Sequence, residues 1–159
     1  MRNTITLVLA FACMLLTACA GTSSKVRTDY RLVQGEKFNI RVTTTTNPSE
    51  EGLQILRERL TSQLASTGLL ATAADGSAKT IDVAVNHYNM RHGATRAMVG
   101  ILAGSDYVQS TVKVMDAATG RALSEFIVES KNPTAWGTSR GMIQDHADKI
   151  VETLRGGKQ

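Results

Sequence analysis

Three groups of residues in this chain have types and spacing that could do chemistry. The first is Gly137-Thr138-Ser139-Arg140-Gly141, which fits the Gly-x-Ser-x-Gly pattern of serine hydrolases. That motif works when a buried strand feeds a strained turn that exposes the serine, with an acid and a histidine supplied later in the chain. Here the preceding Asn132-Pro133-Thr134-Ala135-Trp136 does not read as a buried strand. Asp145 and His146 fall within two helical turns of Ser139, too close in sequence to close a triad over it. Thr138 or Ser139 is more simply the cap of a closing helix. The second group is His87, His92 and Asp106, which would be a metal site only if the fold gathered them, since no two histidines have a recognised ligand spacing. Solvated or hydrogen-bonded histidines are the default reading, and that includes His146. Carboxylate pairs at Glu50-Glu51 and at Asp145 and Asp148 suit helix starts and polar helix faces without any catalytic role. No catalytic residue and no metal ligand is therefore assigned.

The third group is Leu16-Thr17-Ala18-Cys19, and its chemistry is attachment rather than turnover. Arg2 is followed by an apolar stretch from Ile5 to Leu16, with small residues at Ala18 and Ala20 around the cut. The stretch is too short to span a bilayer, which takes about 20 apolar residues. The arrangement resembles a bacterial lipoprotein signal peptide, with residues 1–18 removed and Cys19 becoming the first mature residue. A plain secretory signal is the alternative. The resemblance implies a diacylglycerol thioether and an amide-linked acyl chain (palmitate) on Cys19, because one myristoyl-length chain alone binds only marginally. It also implies sorting to the outer membrane, since Ala20 rather than Asp follows the cysteine. Cys13 leaves with the signal and Cys19 is blocked by lipid, so disulfides, thiolate metal sites and cysteine nucleophiles are excluded from the mature domain. No cofactor is expected beyond the covalent lipid on Cys19. Losing residues 1–18 removes Arg2 and no acid, which lowers the formal charge from +4 to +3. Lys25, Arg27, Arg31, Lys37 and Arg41 fall near the anchor, where cations interact with anionic head groups. Nucleic acid is not an expected partner of an exported chain.

A different use is suggested by Gly93, Gly100 and Gly104, which with Ala97 and Ala103 make a strip of small residues. Gly100 and Gly104 have the spacing of a helix-packing motif, but the apolar stretch 97–104 cannot span a membrane. It reads as a tight connection packed against its own sheet or as an exposed contact for a partner. Trp136, the only tryptophan, either covers the core edge or anchors a partner. Gly93, Arg96, Gly100, Gly104 and Trp136 are thus the candidate partner contacts.

The elements that must position these residues are legible from periodicity. Residues 19–36 are polar, without a sustained apolar period, and read as a lipidated terminus and flexible tether with a coil span of roughly 23 Å. Phe38, Ile40 and Val42 alternate with polar residues as a strand. Asn47 as cap, Pro48 and Glu50 open a helix whose stripe is Leu53, Leu56, Leu60 and Leu64, and Gly68 stops it. Leu69 to Ala71 could add a short strand. Ile81, Val83 and Val85 mark the next long strand, and two more, about Tyr107 to Met115 and Ala122 to Glu129, flank a tight turn at Gly120. Ile143, Ala147, Ile150, Val151 and Leu154 give the closing helix its apolar face. We therefore expect one periplasmic α+β domain over residues 37–155 and a disordered tail at 156–159. The domain would be a two-layer sandwich of order β-α-β-β-β-α, with a mixed sheet of about four strands and both helices on one face.

The stretch Arg96-Ala97-Met98-Val99-Gly100-Ile101-Leu102-Ala103-Gly104, together with Lys113-Val114-Met115-Asp116, Thr119-Gly120 and the closing helix, resembles the bacterial lipoproteins grouped as domain of unknown function 4410. That likeness runs from about Arg96 to Leu154 and is weaker in the Leu-rich helix. It implies a lipoprotein similar in architecture to envelope proteins that activate or scaffold larger machines, among them regulators of peptidoglycan synthases. The family has no known activity, so no active site comes with it. The functional expectation is a non-enzymatic, outer-membrane-anchored lipoprotein facing the periplasm and binding or stabilising an envelope protein. Self-association through residues 93–104 is the alternative, and a periplasmic hydrolase is a distant third.

Overall fold

A computed structural model describes residues 21–90, 105–132 and 138–156. In order they form β1 (Gly21–Thr28), β2 (Phe38–Thr44), α1 (Glu50–Ser66), β3 (Lys79–Asn89), β4 (Asp106–Met115), β5 (Ala122–Asn132) and α2 (Ser139–Leu154). The strands make one sheet in the order β1-β5-β4-β3-β2. β2 and β3 are parallel, as a strand-helix-strand crossover requires, and every other neighbouring pair is antiparallel. α1 packs on β2, α2 packs on β1, β5 and β4, and the helices pack on each other.

One face of the sheet is therefore covered, and the burial follows the pleat. Ile81, Val83 and Val85 of β3, Val108, Val112 and Val114 of β4, and Phe126 and Val128 of β5 point into the core. Leu53, Leu56, Leu60 and Leu64 from α1 meet Ile143, Ala147, Ile150, Val151 and Leu154 from α2 in the same cluster. These are the two stripes expected from helical spacing. Gly68 (φ 68°) and Gly120 (φ 66°) occupy the left-handed region that a side chain would strain, which ends α1 and closes the β4–β5 turn.

The sheet has five strands rather than about four, because the segment expected to be a tether contains β1. Thr22, Ser24 and Val26 turn inward and are half-buried, while Ser23, Lys25 and Arg27 turn outward. The alternation is present, but two of the three inward residues are hydroxyls, so no apolar period announces it. The connection that follows is also fastened. Glu36 forms an ion pair with Lys79, and it accepts hydrogen bonds from the Tyr30 hydroxyl at 2.7 Å and the Val33 amide at 2.9 Å. Burial alone would raise the Glu36 pKa; the hydrogen bonds from Lys79, Tyr30 and Val33 outweigh it and hold the carboxyl below its ordinary value.

Smaller differences have local causes. Ser49, not Asn47, caps α1: its hydroxyl accepts the Gly52 amide at 3.1 Å, which leaves Glu50 and Glu51 in the first turn where the helix dipole favours them. Leu70 makes only an isolated bridge to Phe38 instead of a strand. β5 runs three residues beyond Glu129, to Asn132, because β1 pairs with it as far as Lys131 and β4 as far as Asn132.

Candidate interaction surface

Cys19, His92, Gly93, Arg96, Gly100, Gly104 and Trp136 lie outside the described residues. Where their segments join the sheet is nevertheless fixed by the strand register. Gly21 pairs with Lys131, Lys131 with Tyr107, and Tyr107 with Asn89, while Asp106 pairs with Asn132. One row across four strands thus holds the start of β1, two residues after Cys19, both attachments of segment 91–104, and the point where segment 133–137 leaves. The sequence motifs are scattered over more than a hundred residues, and antiparallel pairing brings their roots to one end of the sheet. Between the start of β1, the end of β5 and the first turn of α2 lies a cleft of about 370 Å³, bordered by Gly21, Thr22, Lys131, Asn132, Thr138 and Met142.

Among the described residues, Thr138 and His146 have structural partners. Thr138 caps α2, its hydroxyl accepting the Gly141 amide at 3.0 Å, with Ser139 as the first helical residue. His146 does meet serines, but Ser139 is not one of them. Its Nδ1 lies 2.9 Å from the Ser130 hydroxyl and its Nε2 2.9 Å from the Ser110 hydroxyl, and Ser130 continues to Thr22 at 2.8 Å. Ser110, Ser130 and His146 are fully buried. Burial pushes the His146 pKa down to about 3, so the ring is neutral, one nitrogen donating and the other accepting. Withdrawn from solvent under α2, this chain of hydroxyls and imidazole ties β1, β5, β4 and α2 together. The sequence signal was available, since His146 sits beside Ala147 on the apolar stripe of α2.

The histidine and acid considered for metal are also separated. Asp106 is buried on the helix-covered face, whereas His87 is exposed on the opposite face with its ring 6.1 Å from that of Tyr107. Among the described residues no cluster of three potential ligands occurs.

The uncovered sheet face is polar and internally paired. Register lines up Arg41, Asp82, Lys113 and Glu125 across four strands, with Arg27 reaching Glu125 from the fifth. Arg41 bonds Asp82 at 2.7 Å, Lys113 approaches Glu125 at 3.5 Å, and Arg27 bonds Glu125 at 2.6 Å. Hydrogen bonds from Arg27 lead the causes that lower the Glu125 pKa. Nearer the row described above, the Gln109 amide donates to Glu129 at 2.7 Å and to the Tyr107 hydroxyl at 3.1 Å.

A sequence model for the domain of unknown function DUF4410 matches residues 41–135. The chain belongs to the DUF4410 family. The match covers the sheet from within β2 through β5, together with α1, and ends before α2. It begins earlier than the stretch from Arg96 that carries the resemblance in the sequence motifs, and it leaves out the closing helix. No curated protein matches the sequence. Among solved structures, PelC from Paraburkholderia phytofirmans, crystallised as a dodecamer, shares the fold: one structure, of a point variant, covers 87% of this chain and 99% of its own at 13% identity and TM-score 0.63. A second PelC dodecamer structure gives the same coverages at 12% identity and TM-score 0.60.

Proposed function

We propose that this DUF4410 protein is a non-enzymatic lipoprotein of the bacterial envelope, anchored through lipid on Cys19 in the outer membrane with its domain facing the periplasm, and that it binds or stabilises a protein partner there. The observation that carries the reading is the fold match to PelC over nearly the whole of both chains, since the PelC structures are dodecamers and the fold is thus used for protein assembly. The buried setting of His146 adds support: the imidazole nearest Ser139 in the sequence is held by Ser110 and Ser130.

A second reading, self-association as a structural envelope protein through segment 93–104, is favoured by the same dodecamers. Cross-linking in intact cells, followed by purification in detergent, separates the two. Adducts with a different envelope protein support the first, and adducts between copies of this chain support the second. Recovery of the uncross-linked chain alone, with no change in envelope integrity on deletion, argues against both. The anchor has its own control: Cys19→Ser abolishes acyl labelling and normal maturation, and persistent labelling in that variant overturns it.

A further inference from the structure

We propose that the domain stands end-on to its membrane, with the sheet end that carries Gly21, Asn89, Tyr107 and Lys131 against the lipid surface and the β4–β5 turn at Gly120 pointing away. The inference rests on lipidation of Cys19 and adds what the anchor alone does not give, an orientation. With β1 beginning at Gly21, the link is two Cα steps, at most about 7.6 Å. A long tether would let any face approach the lipid, but so short a link keeps the Gly21 end of β1, held in register with Lys131, next to the anchored residue. Tyr107 and Asn89 follow in the same row, so the whole end is carried to the surface with it.

β4 has ten residues, which puts its far end about 30 Å further from the lipid. The orientation follows from the short link and the register, not from charge. The far end carries both signs, Asp29, Glu36, Asp75 and Asp116 beside Arg31, Lys37, Lys79 and Arg121, so the cations expected near head groups from their place in the sequence are divided between the two ends. At the near end Lys131 is exposed and Arg140 faces Glu51 at 3.4 Å, with Glu50, Glu129 and Asp145 also at that end. The kind of partner this end meets is a phospholipid surface, and any protein bound at the same end must itself sit in or on that membrane.

The test uses the full lipidated chain in vesicles of phosphatidylethanolamine and phosphatidylglycerol. Lipid blocks Cys19, so one introduced cysteine is the single free thiol. A fluorophore on Asn89→Cys is expected to be quenched several-fold more by head-group-labelled lipid than one on Ala118→Cys in the turn. A six-residue Gly-Ser insertion between Ala20 and Gly21 should keep the protein on vesicles while bringing the two signals together. Equal quenching at both positions without the insertion, or stronger quenching at Ala118, overturns the orientation and leaves the anchor standing. Failure to float with vesicles overturns the anchor and the orientation with it.

Discussion

At His146, folding must remove an ionisable ring from water and surround it with hydroxyls. Its pKa falls from an ordinary 6.5 to about 3 because burial disfavours the charged form, so the unfolded chain binds a proton that the folded chain refuses. The stability held by the neutral ring is complete above the unfolded pKa and drains away as pH falls from 6.5 toward 3, at about 1.4 kcal/mol per pH unit. Urea unfolding is expected to show a loss of about 2 kcal/mol from this group between pH 7.5 and 5. A His146→Gln variant, less stable overall, should lack that slope, and an unchanged slope would place its origin elsewhere. Gly52 is the second residue whose role is set by a neighbour. A Cβ there would run into the hydroxyl of Tyr88, which also bonds Ser49 at 3.0 Å. Alanine is favoured over glycine by about 1 kcal/mol inside a helix, yet Gly52→Ala should destabilise the domain. Tyr88→Phe should recover part of that loss, as a double-mutant cycle would show; additive effects would mean the two do not interact. Neither role is legible from residue type alone, although the place of His146 on the apolar stripe of α2 marks it for burial. A glycine in the first turn of α1 and a histidine midway along α2 acquire their roles from the strands packed against them.

Among the elements, those with a strong apolar period could be read from sequence. The stripes of α1 and α2, the alternation in β3 and β4, and the glycines that end α1 and turn β4 into β5 all stand where spacing puts them. β1 could not be read, for a physical reason that also makes it adjustable. Its inward positions are Thr22, Ser24 and Val26; Thr22 finds Ser130, but the buried Ser24 hydroxyl has no hydrogen-bond partner among the described residues. Such a group costs about 1–3 kcal/mol of desolvation without return. Ser24→Ala is therefore expected to raise the unfolding midpoint, or at least not lower it, and to slow amide exchange in β1. A clear loss of stability would show that the hydroxyl is satisfied in solution. The candidate contacts were legible as residue types only. That segments 91–104 and 133–137 and the strand after Cys19 all root in one row depends on β5 pairing with both β1 and β4, which no local pattern encodes.

For the molecule as a whole, the uncovered face is held by alternating charge from Arg41 to Arg27 rather than by apolar cover. Like charges placed opposite one another on a sheet destabilise it, and salt screens the effect. Lys113→Glu sets three acids side by side with Asp82 and Glu125, so it should lower the melting temperature markedly at low ionic strength and much less in 1 M salt. A salt-independent loss would point to packing instead. The order of the strands also bears on the sequence of events in the cell. The first strand of the domain closes the sheet beside the last, and Thr22 reaches a partner 108 residues downstream. A chain made from its N-terminus cannot complete that edge until β5 has followed, so β1 is the strand whose pairing must wait longest. Under the proposed lipidation of Cys19, that wait is an interval in which the first residues are open to processing enzymes, and completion of the sheet ends it.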